Sequence, residues 1–142
     1  MRDRLNIRPA SSEDGHRILP LARDMATSFA VDTEAFATSF AELLGRDDAI
    51  VLVALEAGGV VGYLLGFDHL AFYANGCVAY VEEVAVRQDR RGATIGQQLM
   101  QEFERWARSR SATLITVATR RAAPFYRNLG YDETATLFRK VL

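Results

Sequence analysis

The chain has 142 residues, of which 49% are hydrophobic and 25% are charged. A chain of this length can form one domain with a full hydrophobic core, so we expect a single domain over residues 1–142. The formal net charge of −1 and the pI of about 6.1 exclude the generally basic surface of a nucleic-acid-binding protein. No apolar run approaches the ~20 residues that span a bilayer. We therefore expect neither nucleic acid nor a membrane as a partner.

Cysteine and histidine usage limits the chemistry further. Cys77 is the single cysteine, which rules out an internal disulfide and suits a reducing compartment. Residues 1–5 lack the apolar core of a signal peptide, so the sequence predicts a cytoplasmic protein. The two histidines and this cysteine do not have the spacing of a metal site, and we expect no metal.

The start of the chain predicts a strand and a helix. Apolar and polar residues alternate over residues 5–8, as in a half-buried strand. Ser11 and Asp14 have the spacing of a capping box, which places the start of a helix here. Pro20 lies within the helical pattern that follows and should kink or split the helix, because proline lacks the backbone N–H.

The next segment predicts a second helix and then a β-hairpin. Apolar residues recur at helical spacing over residues 33–44, and Gly45 is placed to end that helix. Two β-branched runs, residues 50–56 and 60–67, surround a Gly-Gly pair and therefore predict two antiparallel strands. We expect residues 68–76 to form a loop.

The second half predicts strands and helices in alternation. We expect a strand over residues 77–86, a helix that Gly92 opens and that runs to about residue 108, a strand over 113–118, a helix over 122–129, and one or two strands over 131–141. The order of elements is then β-α-α-β-β-β-α-β-α-β. This order predicts an α/β (α+β) fold with helices on both faces of a mixed sheet.

Residues 87–96 join a predicted strand to a predicted helix and have the features of a phosphate site. Backbone N–H groups at the start of a helix are free to bind an anion, and the helix dipole adds partial positive charge there. The glycines allow close approach, and Arg90 and Arg91 add charge. The alternative is a solvated basic turn. We favour a diphosphate site because the strand, the helix and the arginine pair agree, and because Walker-type and Rossmann-type patterns are absent from the sequence.

The same segment resembles a family signature. Val84-Ala85-Val86 followed by Arg91-Gly92-Ala93-Thr94-Ile95-Gly96 is similar to the acyl-CoA motif of the GNAT superfamily of acyl-CoA N-acyltransferases, usually written Gln/Arg-x-x-Gly-x-Gly/Ala. Arg91 takes the first position and Gly96 the last, whereas Thr94 replaces the middle glycine. A threonine keeps the backbone N–H donor but narrows the approach of a phosphate.

A second segment, residues 122–131, is similar to the Ala-x-x-Phe-Tyr-x-x-x-Gly-Phe/Tyr pattern of the same superfamily. The resemblance covers nearly the whole chain. It implies a mixed, mostly antiparallel central sheet of six to seven strands flanked by about four helices. It also implies an acetyl-CoA-dependent N-acetyltransferase, often a homodimer, that acts on a primary amine of a small molecule or peptide. Thr119 stands where the family often has a CoA-binding asparagine. The residues implied to bind acetyl-CoA are Val84, Ala85, Val86, Arg91, Gly92, Ala93, Thr94, Ile95, Gly96 and Thr119.

Acetylation of an amine needs a base, because an amine with a pKa of about 10.4 is protonated at neutral pH. Glu82 and Glu83 lie side by side in a predicted strand that is otherwise apolar, where two carboxylates are costly to bury. Strand alternation puts them on opposite faces, but the family commonly has a bulge here that turns both toward one cleft. By similarity we expect Glu82 to be the base, and Glu83 to bind the amine or to replace Glu82. Alternatively, one glutamate pairs with an arginine and the other meets solvent.

Other site residues follow from the resemblance. Tyr126 is where the family often places a tyrosine near the CoA sulfur, which implies that it protonates the leaving thiolate; the alternative is a core aromatic. The backbone N–H of Val84 is the implied donor to the oxyanion. Arg120 and Arg121 have two interpretations, contact with CoA phosphates or simple solvation.

Two other functions compete with catalysis. One is a catalytically silent acyl-CoA-binding sensor domain, and the other is a nucleotide-phosphate binder that uses the same helix start. Turnover with amines separates the first from an enzyme, and stabilisation by acetyl-CoA against that by ATP separates the second.

Overall fold

The computed structural model describes residues 4–92 and 94–142, in which a five-stranded sheet is flanked by four α-helices. In chain order the elements are β1 (Asn6–Pro9), α1 (Gly15–Met25), α2 (Thr33–Leu44), β2 (Ala49–Glu56), β3 (Gly59–Ala71), β4 (Gly76–Val86), α3 (Ile95–Ser109), β5 (Ile115–Val117) and α4 (Ala123–Asn128). The strands lie in the order β1-β2-β3-β4-β5, and β5 alone runs parallel to its neighbour. The predicted α/β class with a mixed, mostly antiparallel sheet is confirmed.

Alternating side chains of the central strands build one core on each face of the sheet. In β2, Val51 and Val53 pack with α1 and α2, whereas Leu52 and Ala54 pack with α3. We call these the α1/α2 core and the α3 core. The helix residues of the α1/α2 core are Ile18, Leu21, Ala22 and Phe40, and those of the α3 core are Ile95, Leu99, Met100, Phe103 and Ala107. Burial on both faces explains why the central strands are apolar at consecutive positions.

Two glycines of β3 allow α3 to lie close to the sheet. A Cβ at Gly62 would lie 3.2 Å from Cγ2 of Ile95, and a Cβ at Gly66 would lie 2.8 Å from Cζ of Phe103. Phe103 is fully buried, so its ring has no free space into which it could move. This close contact fixes the axis of α3 and therefore the position of its first turn beside the end of β4.

The first helix starts as predicted but is not split at Pro20. The backbone N–H of Ser11 donates to Oδ2 of Asp14 at 2.8 Å, which confirms the capping box. The helix α1 then runs without interruption through Pro20. The carbonyl that loses its donor belongs to His16, and both residues are exposed, so that water can satisfy this oxygen.

Two predicted strand boundaries differ from the structure. β3 continues to Ala71, because residues 68–71 pair with β4, so the predicted loop over 68–76 is shorter than expected. β5 covers only Ile115–Val117 of the predicted 113–118, since its pairing with β4 is limited to three residues.

The prediction of a strand within residues 131–141 is wrong. Residues 131–142 contain no helix or strand, which leaves five strands within the described residues in place of six to seven. A strand is held in register by burying one face. This segment buries no such face, because its large apolar side chains are exposed; they are Leu137, Phe138, Val141 and Leu142.

Gly66→Ala tests the close approach of α3. We expect it to lower the free energy of unfolding by about 1–3 kcal/mol, the usual cost of forcing extra atoms into a packed core. Gly45→Ala is the control, because a Cβ there would lie 3.6 Å from its nearest neighbour, the carbonyl oxygen of Glu42. Its effect should stay within about 0.5 kcal/mol. Urea denaturation measures both variants, and equal stability would contradict the close contact between Gly66 and Phe103.

Candidate active site

A β-bulge in β4 brings two neighbouring carboxylates into one cavity. Leu65 of β3 pairs with Glu83, and Gly66 pairs with Val81, so that Glu82 is the extra residue in β4. In a regular strand the side chains of Glu82 and Glu83 would face opposite sides of the sheet. At the bulge both side chains line the same cavity. The structure therefore contains the bulge that the resemblance implied.

The cavity has a volume of about 580 Å³ and lies between the sheet and the first two helices. Its walls are largely apolar, with contributions from Ile18, Ala22, Met25, Val31, Phe36, Phe40, Leu43 and Leu65. Two arginines, Arg120 and Arg139, line the cavity together with the two glutamates, whereas Arg121 does not line it. An apolar cavity of this size with a few convergent polar groups is typical of a small-molecule site.

Tyr63 holds one of the two carboxylates. Its hydroxyl donates a hydrogen bond of 2.6 Å to Oε1 of Glu83. Tyr63 is buried, and this burial, reinforced by the charge of Glu83, raises the pKa of the phenol well above its usual value. Tyr63 is therefore a neutral donor at physiological pH. Sequence analysis missed this residue, whose signal was a side chain with a hydroxyl group between the apolar residues of a buried strand.

Glu82 is in a different environment from Glu83. Its side chain is exposed, and the structure gives it no guanidinium partner among the described residues. Burial, followed by the nearby charge of Glu82, raises the pKa of Tyr80 on the same strand. Glu83 is thus held by the buried phenol of Tyr63, whereas Glu82 is exposed and lies beside the phenol of Tyr80.

The part of β4 that follows the bulge lies at an open edge of the sheet. β5 pairs only with residues 79–81 of β4, and this pairing stops one residue before Glu82. In an antiparallel strand pair, alternate residues direct their N–H and C=O groups away from the partner. Residues 84–86 pair with β3 on one side. On the other side they extend beyond β5, where main-chain groups can bind a ligand.

The start of α3 presents free amides close to this edge. The predicted start at Gly92 is wrong, and the helix begins at Ile95. Gly92 and Thr94 have φ angles of 82° and 66°, which a right-handed helix cannot include. The N–H groups of Gly92, Thr94, Ile95 and Gly96 have no acceptor within residues 4–92 and 94–142. Ala93, also predicted to bind CoA, lies outside the described residues. Four unsatisfied donors at a helix start form a site that fits a diphosphate.

The arginines of this segment differ in how they are paired. Arg90 makes a bidentate ion pair with Glu56 at the end of β2, with distances of 2.7 and 2.8 Å. Arg87 pairs with Asp89 at 2.6 Å. Arg91 has no carboxylate partner in the described part of the chain, and its Nε donates weakly to the carbonyl of Val86 at 3.4 Å. The expectation that Arg90 and Arg91 both add charge to the phosphate site is therefore corrected to Arg91.

Tyr126 lies in the α3 core and not in the cavity of the glutamates. Its ring centroid is 5.0 Å from that of Phe125 and 5.9 Å from that of Tyr131. Burial raises the pKa of the Tyr126 phenol. Its hydroxyl has no hydrogen-bond partner among the described residues, so it can donate to a ligand.

Contacts of α4 connect the two segments that resemble the family. A Cβ at Gly96 would lie 3.2 Å from Cζ of Phe125, so the glycine allows α4 to pack against the first turn of α3. Oγ1 of Thr119 accepts a hydrogen bond of 2.9 Å from the backbone N–H of Ala122 and holds the turn before α4. Gly96 and Thr119 thus have structural contacts alongside their predicted roles in CoA binding.

No group of three or more His, Cys, Asp or Glu side chains in the described residues is arranged to hold a metal ion. None of the helices in those residues has the length and apolarity that a membrane span requires. Burial, followed by the charge of Asp68, raises the pKa of the Cys77 thiol, which keeps this side chain in its unreactive form at neutral pH.

Comparisons with known proteins show relatives of this chain in sequence and in fold. The sequence model of the family described as "Acetyltransferase (GNAT) domain" matches residues 47–133. An aminoalkylphosphonate N-acetyltransferase of Salmonella typhimurium is 29% identical over 140 residues, which covers 96% of this chain and 90% of the relative. The structure of glucosamine-6-phosphate N-acetyltransferase from Arabidopsis thaliana has a TM-score of 0.86 at 19% identity and covers 98% of this chain and 99% of its own. The structure of an aminoglycoside N-acetyltransferase in complex with CoA has a TM-score of 0.84 at 17% identity. The match covers 99% of this chain and 95% of that protein.

Arg91→Ala and Arg90→Ala test which arginine serves the phosphate site. We expect Arg91→Ala to raise the Kd of CoA about three- to tenfold, because it removes a charge that is free to pair with a phosphate. Arg90→Ala should leave the Kd within about twofold, since its guanidinium is bound to Glu56. Titration calorimetry at low and high salt measures both, and the Arg91 effect should shrink at high salt. A larger effect of Arg90→Ala would contradict this assignment.

Proposed function

This chain belongs to the GNAT acetyltransferase family, and we propose that it transfers an acetyl group from acetyl-CoA to a primary amine of a small molecule or peptide. The observation that carries the proposal is the bulge at Glu82, which puts two carboxylates in one cavity. The bulge lies where β4 extends beyond its pairing with β5. This arrangement offers carboxylates to an amine and main-chain groups to a thioester at adjacent positions.

Acetyl-CoA, when bound, supplies an acetyl group that is activated as a thioester. The N–H groups at the start of α3 and the guanidinium of Arg91, which have no strong acceptor or carboxylate partner in the described part of the chain, support binding of its diphosphate there. The open edge at residues 84–86 offers alternating N–H and C=O groups to the amide-containing arm of the cofactor. We assign the N–H of Val84 to the acetyl carbonyl oxygen, where a fixed donor stabilises developing negative charge.

Glu82 is the base in our proposal. An amine acceptor with a pKa of about 10.4 arrives protonated and must lose a proton before it can attack a carbonyl carbon. Glu82 is open to solvent, so a proton that it accepts can pass to water. Glu83 already accepts a hydrogen bond from Tyr63 through Oε1, which fixes its carboxylate and leaves Oε2 to hold the ammonium.

Tyr126 donates to the leaving sulfur in our proposal. Its raised pKa keeps the phenol protonated at neutral pH, and its hydroxyl has no other acceptor among the described residues. Its packing against Phe125, which itself contacts Gly96, connects it with the first turn of α3. The leaving sulfur is at the end of the cofactor arm opposite the diphosphate, and we place this sulfur beside Val84. Val84 and Tyr126 pack against the same α3 core, which supports a donor on that side of β4.

We propose that the whole chain, residues 1–142, acts as one such domain in the cytoplasm. The coverage of 96% of the chain by the Salmonella relative supports the extent of the domain, and the single cysteine is compatible with the compartment. That relative and the Arabidopsis enzyme are named for small-molecule amines. The cavity of about 580 Å³ supports a small acceptor here as well.

Glu82→Gln tests the base. We expect kcat/KM for an amine at pH 7 to fall about a hundredfold, within the usual range for loss of a general base, while the Kd of acetyl-CoA stays within about twofold. Activity should recover partly as the pH rises, because more of the amine is then already deprotonated. Release of free CoA thiol measures turnover. The control is Glu42→Gln, an exposed change on α2 outside the cavity.

If Glu82→Gln and the parent protein acetylate at equal rates, Glu82 is not the base, and Glu83→Gln becomes the decisive variant. If the parent binds acetyl-CoA but releases no thiol with any amine, the chain is a sensor and the proposed function is wrong.

Tyr126→Phe tests the proton donor. The ring and its packing remain, so we expect kcat to fall about tenfold with little change in the KM for acetyl-CoA. Tyr131→Phe is a matched control, because its hydroxyl donates to Glu104 at 2.8 Å and has no role in the proposal. Steady-state kinetics of both variants measure the difference. Unchanged kcat in Tyr126→Phe would leave Tyr126 as a core aromatic only.

A further inference from the structure

The cavity of the two glutamates also has a cationic wall. Arg120 lies between β5 and α4, and Arg139 lies in the C-terminal segment; both line the cavity. Neither guanidinium has a carboxylate partner within residues 4–92 and 94–142. Several exposed arginines, such as Arg91 and Arg121, also lack a carboxylate partner among the described residues, so it is their place in the cavity that sets Arg120 and Arg139 apart. The arginines in ion pairs are Arg8, Arg46, Arg87, Arg90, Arg105, Arg110 and Arg127. The cavity therefore presents two cations that no carboxylate of the described chain neutralises.

Arg139 is fixed at the cavity rim. Its Nη1 donates a hydrogen bond of 2.6 Å to Oγ of Ser28, which lies in the connection between α1 and α2 and lines the same cavity. This contact ties the C-terminal segment to the cavity while it occupies one of the five N–H donors of the guanidinium. The remaining donors can bind a ligand.

Resting on the proposed function, we propose that the acceptor carries an acidic oxyanion group in addition to its amine, and that Arg120 and Arg139 bind this group while Glu82 and Glu83 receive the amine. Guanidinium forks match the oxygens of a phosphonate, phosphate or carboxylate, often with two parallel hydrogen bonds. The acceptor thus carries charges of both signs, as the lining of the cavity does. Arg120 and Arg139 act as specificity-determining residues and take no part in proton transfer.

The rest of the cavity lining is mostly apolar, with a few hydroxyl groups. Apolar side chains such as those of Ala22 and Phe36 line it together with Thr27, Ser28 and Ser39. A polar group of the acceptor that is buried there without a partner is costly. The cavity therefore favours an amine whose acidic group is carried on a mainly apolar spacer.

The experiment compares amines of equal chain length that differ at the far end. The panel is an aminoalkylphosphonate, the matching aminoalkylcarboxylate, the matching amino alcohol and the plain alkylamine, with release of CoA thiol as the readout. We expect the best acid to exceed the two amines that lack an acidic group at least tenfold in kcat/KM, mainly through KM. The acid that performs best identifies the group.

Variants of the two arginines locate the preference. Arg120→Ala and Arg139→Ala should each lower kcat/KM for the acid about tenfold to a hundredfold and change that for the plain amine less than about threefold. Lysine at either position should restore part of the preference because it keeps the charge. Arg121→Ala and Lys140→Ala are neighbouring controls outside the cavity, and both should keep the parent ratio of acid to plain amine. The ratio is measured within one variant, so partial loss of folded protein does not alter it.

The outcomes separate this inference from the proposed function. If all amines are acetylated with equal kcat/KM, or if the preference for acids survives both alanine variants, the inference is wrong and the acetyltransferase assignment stands. If no amine is acetylated, the proposed function is wrong, and the inference falls with it.

Discussion

The site depends on how β4 is paired on its two sides. Up to Val81 the strand has regular neighbours in β3 and β5. At Glu82 a bulge interrupts the pairing with β3, and the pairing with β5 has ended. A fully paired strand would use its main-chain groups in the sheet and would direct neighbouring carboxylates to opposite faces. The interruption at one position therefore supplies both the carboxylate pair and the free main-chain groups.

The packing of α3 and α4 holds the irregular end of β4 and the first turn of α3 in fixed positions. The helix α3 contacts the sheet closely at Gly62 and Gly66, and its first turn is held by Phe125 packed on Gly96. Thr94 has a φ of 66°, which is unfavourable for a β-branched residue and persists only where neighbouring contacts hold it. Sheet packing and the α4 contact together fix the direction of the free amides. The same packing that stabilises the α3 core thus orients the donors of the phosphate site.

Elements with strong periodicity could be predicted from the sequence, whereas contacts between distant segments could not. The helix over residues 33–44 matched at both ends because burial imposes its spacing. The prediction of a strand in residues 131–141 was wrong, because a local sequence pattern does not show whether the edge strand of the sheet will pair with that segment. The pairing of Arg90 with Glu56 depends on where β2 ends in space. The hydrogen bond from Tyr63 likewise depends on the register of β3 and β4. The family motifs located the start of α3, but they carry no information on acceptor contacts.

The two anion sites proposed for this molecule are built from different groups, and this difference separates what is fixed from what can vary. At the start of α3 the donors are main-chain amides, and Glu56 neutralises Arg90 beside them. In the cavity the donors are the side chains of Arg120 and Arg139, which no carboxylate of the described chain pairs. A site made of backbone amides follows from the fold, and side chains such as those of Arg91 and Thr94 only modulate its affinity for a diphosphate. A site made of side chains on the 118–122 connection and the C-terminal segment can change by substitution without altering the sheet. On the proposed function, the cofactor is therefore selected by backbone conformation, and the acceptor by a few replaceable residues.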